Sequence, residues 1–243
     1  MLRIAIILGS TRPGRKGEAV AKWVYEIAQK RSDADFELVD VKDFNLPLLD
    51  EPMSPIMGQY THQHTKDWSA KIASFDAYVF VTPEYNHATS GALKNAIDFL
   101  YHEWVNKAAG FVGYGGASGT RAVENLRLVM GELQVAGVKA QVGLSLFTDF
   151  ENFSDFRPAP EQEKSVNAML DQVIAWGGAL KTLREKRASG GAESTDERTS
   201  ENIAFTAESA EVAERKREKF SQLLLSDLHD LCSENDRQTR RAI

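Results

Sequence analysis

The chain of 243 residues holds a single cysteine, Cys232. One thiol cannot close an internal disulfide, so the sequence falls outside the disulfide-stapled secreted class, and a reducing, intracellular setting is expected. Long apolar runs are missing as well. None approaches the roughly 20 residues that cross a bilayer, and the apolar opening Leu2–Leu8 runs straight into a polar loop, without the layout of a signal peptide. A cytoplasmic protein with no membrane partner is the expectation. Excess positive charge is also absent: 29 Lys and Arg stand against 35 Asp and Glu, for a net charge of −6 that gives no support to a nucleic-acid partner. Two familiar phosphate motifs fail. The dinucleotide pattern G-x-G-x-x-G breaks at Gly9-Ser10-Thr11. The triphosphate loop breaks because Arg15 takes the place of its lysine and Lys16 that of the magnesium-binding hydroxyl.

What is present is a strand-loop-helix unit that repeats. Leu2–Leu8 reads as a strand buried on both faces, followed by the loop Gly9–Gly17 and a helix over Glu18–Arg31 with Ala19, Val20, Trp23, Val24 and Ile27 at helical spacing. Further strands are expected at Phe36–Val41, Ala77–Val81, Ala108–Tyr114 and Val138–Leu146, and helices at His62–Ser74, Ser90–Tyr101, Ser118–Ala136 and Glu161–Glu185. Asp43–Tyr60, with Pro47, Pro52 and Pro55, is a long turn-rich connection of the kind that is usually functional or mobile. Strands alternating with helices pair in parallel, because each crossover needs a helix. The expected architecture is therefore α/β: a three-layer, doubly wound, five-stranded parallel sheet. Residues 1–186 form its domain. Arg187–Asn202 reads as a linker poor in groups to bury. Residues 203–243 carry an amphipathic helix over Ile203–Leu231, with Phe220, Leu223, Leu224 and Leu228 on its apolar face.

Ligands of such open sheets sit beyond the carboxyl ends of the strands. Three loops converge there. The first offers Ser10, Thr11, Arg12 and Arg15 ahead of a helix N-terminus, an arrangement suited to a phosphate monoester. A solvated turn with clustered cations fits the same residues. The loop after the third strand, Pro83-Glu84-Tyr85-Asn86-His87, has backbone amides expected to lack strand partners, a flat ring in Tyr85, and in Asn86 both a donor and an acceptor. His87 reads as a capping or solvent-facing group, and Thr89 or Ser90 as a helix cap. The loop Tyr114–Arg121 holds Gly115, Gly116 and Gly119, which allow a ligand to approach the backbone or simply turn the chain. A flat heterocycle bearing a phosphate suits a pocket of this kind.

Gly9-Ser10-Thr11-Arg12-Pro13-Gly14-Arg15, Pro83-Glu84-Tyr85-Asn86 with Gly91-Ala92-Leu93-Lys94-Asn95-Ala96-Ile97-Asp98, and Tyr114-Gly115-Gly116 together resemble the NAD(P)H-dependent FMN reductase family, over about the first three-quarters of the chain. The resemblance implies a flavodoxin-like fold with FMN as cofactor and NADPH or NADH as hydride donor. It implies that Ser10, Thr11, Arg12 and Arg15, with Lys16 or Gly17 beside them, hold the phosphate. It further implies that Pro83, Glu84, Tyr85 and Asn86 line the ring and that Gly115 and Gly116 approach its pyrimidine edge. Hydride would pass to the flavin and then to a small acceptor: a quinone, azo compound, metal oxyanion or free flavin. No catalytic side chain is required, since the flavin carries the redox chemistry. A homodimer is implied too, and Phe99–Trp104 is the expected contact surface. Two other readings are a flavodoxin-like electron carrier and a flavin-bound regulatory module acting through the C-terminal helix. The cations Arg12, Arg15 and Lys16 favour an anionic NADPH visitor, and with it the reductase.

Overall fold

A computed structural model describes residues 1–190, with side chains as far as Arg187. Met1–Lys186 forms one compact unit. The linker and C-terminal helix expected after residue 186 lie outside the described residues, apart from the end of the last described helix, which continues to Gly190. Along the described chain the elements are β1 (Leu2–Leu8), α1 (Gly17–Ala28), β2 (Ala34–Asp40), α2 (Gln63–Ala73), β3 (Ala77–Pro83), α3 (Gly91–Asp98), β4 (Ala108–Gly115), α4 (Thr120–Glu132), β5 (Ala136–Ser145), β6 (Phe150–Glu151), β7 (Asp155–Phe156) and α5 (Glu161–Gly190).

Five strands pair in parallel in the order β2-β1-β3-β4-β5. This is the flavodoxin-like winding, in which the direction of strand addition reverses at β1 and β3 and opens a crevice at their carboxyl ends. Side-chain alternation assigns the two faces. Ile4, Ile6 and Leu8 of β1 and Val79 and Val81 of β3 pack against Val20, Val24 and Ile27 of α1 and Val166, Met169 and Val173 of α5. Ala5, Ile7, Tyr78 and Phe80 face the other way, against Trp68 of α2, Leu93 and Ile97 of α3, and Leu126 and Met130 of α4. The near-continuous apolar composition of β1, β3 and β4 follows from burial on both faces.

Several expectations are corrected. Phe99, Leu100 and Trp104 are at most 1% exposed and belong to the core, which leaves Tyr101, His102 and Glu103 as the accessible part of the expected contact surface. Trp104 stacks edge-on against Trp68 and Tyr78 and donates its indole N–H to the Ile97 carbonyl. The surplus of apolar residues there fills the second layer. Helix α4 starts at Thr120, not Ser118, because Ser118 and Gly119 take left-handed φ values of 55° and 68° that no helix accommodates. The connection between β2 and α2 contains two short 3-10 turns and is tied down by side chains: Asn95 bonds Leu49 N and Pro47 O, and Glu51 accepts from Thr61 N and His62 N. The β6–β7 hairpin was not expected.

At the amino edge of the sheet, Asp76 joins three elements. Its carboxylate accepts from Arg3 N (3.1 Å), Lys181 Nζ (3.0 Å) and Arg184 Nη2 (2.7 Å), fastening α5 to the end of β1. Burial alone would raise its pKa, but the Arg3 amide, Lys181 and Arg184 outweigh burial and hold the carboxyl below the usual carboxylate range. The folded form thus takes up its proton less readily than the unfolded form. The stabilisation is complete above pH ~4 and is lost as the pH falls through the lowered native value. Asp76→Asn is expected to cost about 2 kcal/mol at neutral pH. Urea unfolding should show that deficit at pH 7 and little of it at pH 3; an equal deficit at both would assign the effect to packing.

Candidate active site

The first loop leaves β1 at Leu8. Gly9 donates its N–H to Val81 O at 2.9 Å, and a Cβ on Gly9 would stand 2.6 Å from Leu93 Cδ2, so β1, β3 and α3 approach here as only glycine permits. Arg15 N–H donates to Arg12 O (3.2 Å), with Pro13 and Gly14 (φ 64°) at the two central positions, the residue order of a type II turn. Helix α1 begins at Gly17 with no side-chain cap. Its first amides therefore have no helical partner and sit at the positive end of the helix dipole.

Ser10 is fully buried, and its hydroxyl meets the Tyr85 hydroxyl at 3.1 Å. The Arg12 guanidinium lies 5.7 Å from the centre of the Tyr85 ring, a cation–π contact. Through these two contacts the first and second loops meet. Arg12, Lys16, Pro83, Glu84, Tyr85, Tyr114, Gly115 and Leu146 line an open cleft of about 130 Å³.

Tyr114 was not singled out from the sequence. It is 5% exposed, and its hydroxyl has no hydrogen-bond partner among the described residues. Gly17 makes room for it, since a Cβ there would lie 2.6 Å from Tyr114 Oη. Burial, followed by the neighbouring Tyr85, pushes the Tyr114 phenol above its ordinary pKa against smaller opposing effects of Ser10, Arg12 and Arg15, so it stays protonated and able to donate, while no group among the described residues stands within hydrogen-bonding geometry of its hydroxyl. An unpaired buried hydroxyl costs about 1–3 kcal/mol, and a ligand acceptor in the cleft would relieve that cost.

Other residues occupy places the sequence did not anticipate. The Arg15 side chain is 5% exposed and turned inward. It donates to the Ser10 carbonyl, to both carboxylate oxygens of Asp40 and to Glu18 Oε1, so it braces the loop from behind. Asp40, at the end of β2, was not read as a site residue; its partner lies 25 positions away, and nothing in a linear pattern links the two. The expectation of open amides at Glu84 and Tyr85 is also corrected: Glu84 N donates to Tyr114 O and Tyr85 N to Ala88 O, both at 2.9 Å. Asn86 and His87, with φ of 48° and 72°, form the tip of a tight turn and are exposed. The carboxylate of Glu84 is tied to Arg121, through its backbone N–H at 3.1 Å and its guanidinium. His87 Nδ1 also faces that guanidinium, at 3.3 Å. Ser90 caps α3 by accepting from Leu93 N (3.1 Å) and donates to Gly9 O. Gly115 borders the cleft, whereas Gly116 is exposed beside it. Thr11 opens onto a neighbouring hollow of about 170 Å³, shared with Lys42, Asn45, Leu46 and Asn95.

The strand order and the three connections at its carboxyl edge define a flavodoxin-like protein with a cleft at the point where the winding reverses. The sequence model for NADPH-dependent FMN reductases matches residues 2–149. An NAD(P)H-dependent FMN reductase of Nectria sp, ntnL, is 41% identical over 176 residues, which are 68% of this chain and 87% of the relative. A second, C4B3.06c of Schizosaccharomyces pombe, is 42% identical over 149 residues, or 60% and 74% of the two chains. Among solved structures, the flavoenzyme NAD(P)H:(acceptor) oxidoreductase FerB of Paracoccus denitrificans superposes with a TM-score of 0.59 at 19% identity, covering 74% of this chain and 98% of FerB, a likeness of fold. The chain belongs to the NADPH-dependent FMN reductase family, and it is an NAD(P)H-dependent flavin oxidoreductase. Among the described residues no helix is long and apolar enough to cross a membrane.

Proposed function

We propose that the cleft between the first loop and the Tyr85 hairpin holds FMN and presents it to NADPH and to a small oxidised acceptor. The observation that carries this reading is the junction of Ser10 and Arg12 with Tyr85 around the unpaired Tyr114 hydroxyl. The residues fit the cofactor. Ser10, Arg12, Lys16 and the uncapped α1 amides would hold the phosphate, with Arg15 bracing them and Thr11 and Gly17 completing the loop. Pro83, Glu84, Tyr85 and Asn86 would border the ring on one side, and Gly115 and Gly116 on the other. Bound there, FMN would supply the two-electron redox chemistry between the nicotinamide and the acceptor. The chain's own contribution is placement and polarity: Tyr114 Oη offers a neutral donor, and Arg12 and Lys16 attract the anionic nicotinamide nucleotide.

Relatives named NADPH:quinone oxidoreductase (Oryza sativa, 32% identical) and NADPH-azoreductase (Staphylococcus aureus, 27% identical) support a quinone or azo compound as the acceptor. We place the enzyme in the cytoplasm as a homodimer. The exposed side chains Leu48, Met53, Ile56 and Met57 support a contact surface on the connection ahead of α2, where His102 of the Phe99–Trp104 stretch meets the Ile56 carbonyl. The test is direct. Purified protein should be yellow, release FMN on denaturation, and oxidise NADPH faster when menadione is added. Colourless protein that fails to take up added FMN would overturn the assignment.

A further inference from the structure

Beyond Leu146, the chain makes an excursion that the fold does not require. The β6–β7 hairpin turns through Asn152 and Phe153, with φ of 51° and 55°, and Ser154 N donates to Glu151 O at 3.0 Å. The loop between the paired Glu151 and Asp155 has three residues, and two consecutive left-handed residues at the centre of its turn are a setting in which Asn-Gly is preferred. Asparagine fits the first position. Phenylalanine in the second is a bulky side chain where glycine is the unstrained choice, and strain of this sort tends to cluster at functional sites. No burial compensates for it, since Phe153 is 55% exposed. Its ring instead meets Phe147, itself 69% exposed, edge-to-face at 5.5 Å and 87°.

The pair is firmly mounted. Asp149 is 2% exposed and accepts from Ser145 N (2.9 Å), Thr148 Oγ1 (3.0 Å) and Ala159 N (3.3 Å). Phe156 and Phe150 meet at 5.0 Å with their rings tilted by 50°, and Phe156 packs edge-on against Trp23. The pair is also continuous with the cleft. Leu146 lines the cleft and donates its N–H to Gly115 O at 3.1 Å, and Phe147 Cε2 lies 3.8 Å from where a Cβ on Gly116 would stand. Phe147 N–H is fixed by Ser145 Oγ at 3.1 Å. A strained, exposed, rigidly held aromatic pair beside a redox cleft is a surface for another flat ring.

We propose that Phe147 and Phe153 form an aromatic wall that recruits planar, uncharged aromatic acceptors to the cleft, and so bias the enzyme toward quinone-type over ionic acceptors. This rests on the flavin-reductase reading above and names the acceptor class for it. The test uses the full-length, FMN-loaded protein with Phe147→Ala, Phe153→Gly and the conservative Phe147→Trp. Menadione is the planar acceptor and ferricyanide the charged, non-planar one. Both truncations should lower the ratio of kcat/KM for menadione to that for ferricyanide at least five-fold, chiefly through KM. They should also weaken menadione binding to the oxidised enzyme by a similar factor, read from the visible flavin band without NADPH. Phe147→Trp should keep the ratio within two-fold of the parent. Phe153→Gly should melt at or above the parent temperature, because glycine suits the turn.

An unchanged ratio and unchanged menadione binding overturn the proposal, as does equal loss with both acceptors. A changed sedimentation mass with unaltered menadione kinetics also overturns it, by reassigning the pair to contact with a second copy of the chain. If the parent binds FMN and reduces ferricyanide but not menadione, the acceptor assignment falls while the reductase stands. If the parent neither binds FMN nor oxidises NADPH, the reductase reading itself falls.

Discussion

Asp40→Asn will bind FMN roughly four- to twelve-fold more weakly than the parent, although Asp40 is placed behind the first loop and not in the cleft. The reason is Arg15. Its guanidinium, 5% exposed, spends its donors on Asp40, on Glu18 and on the carbonyl of Ser10. Burial would lower its pKa, yet the bonds to Asp40 and then Glu18 more than compensate, and the group is held above the ordinary arginine value. Of the two carboxylates, Glu18 is 64% exposed and Asp40 only 18%, so Asp40 is the stronger anchor. Asparagine retains the acceptor for Lys42 N that caps the following 3-10 turn but removes the charge and the two-pronged match to guanidinium. A hydrogen bond to a charged group is worth about 1.5–3 kcal/mol. If half of that sets the position of Ser10, the loss corresponds to roughly four- to twelve-fold in affinity. Flavin fluorescence titration measures it. Arg15→Lys, with a point charge instead of a fork, should fall between the parent and Asp40→Asn. Affinity within two-fold of the parent for both variants would show that the loop holds its shape without the pair.

The largest effect on the fold is expected at Gly119. Its φ is 68°, and a Cβ there would stand 2.3 Å from Tyr114 N and 2.5 Å from Gly113 C. Both are backbone atoms of a central strand and cannot give way. Gly119→Ala therefore combines a left-handed backbone with a clash, and a loss of about 4 kcal/mol or more is expected. For a unit of this size that is a fall of roughly 10 °C in Tm, with flavin lost as the Gly115 wall shifts. The internal control is Gly131, near the end of α4, where an added Cβ meets nothing within 4 Å. Gly131→Ala should raise stability by about 0.5–1 kcal/mol. Calorimetry on the two variants separates backbone crowding at one glycine from a general sensitivity to losing any glycine.

Much of this architecture could be read in the chain because it depends on local, periodic information. Alternating apolar strands, helical spacing and loops rich in glycine and hydroxyl groups placed the sheet and brought attention to its carboxyl edge. What escaped notice depends on pairings that distance along the chain conceals. Arg15 looked like a ligand cation because Asp40 belongs to another strand. Phe99–Trp104 looked surplus because the layer it fills is contributed by α2 and β3. The Glu84 and Tyr85 amides looked open because the tight turn at Asn86-His87 carries no glycine to announce it, and the Asn152-Phe153 turn was missed for the same reason. Tyr114 was read as the end of a strand. Its importance comes from a missing partner, and only coordinates reveal that.

The Asp76 hub bears on how such an enzyme can diversify. It lies at the opposite end of β1 from the phosphate loop, and seven residues at about 3.3 Å each put roughly 20 Å between them. Over that span substitutions act independently of one another. Mutations that retune the cleft draw on a reserve of stability held at the far edge without disturbing it, so new acceptors can be tried in the loops while the scaffold beneath stays intact.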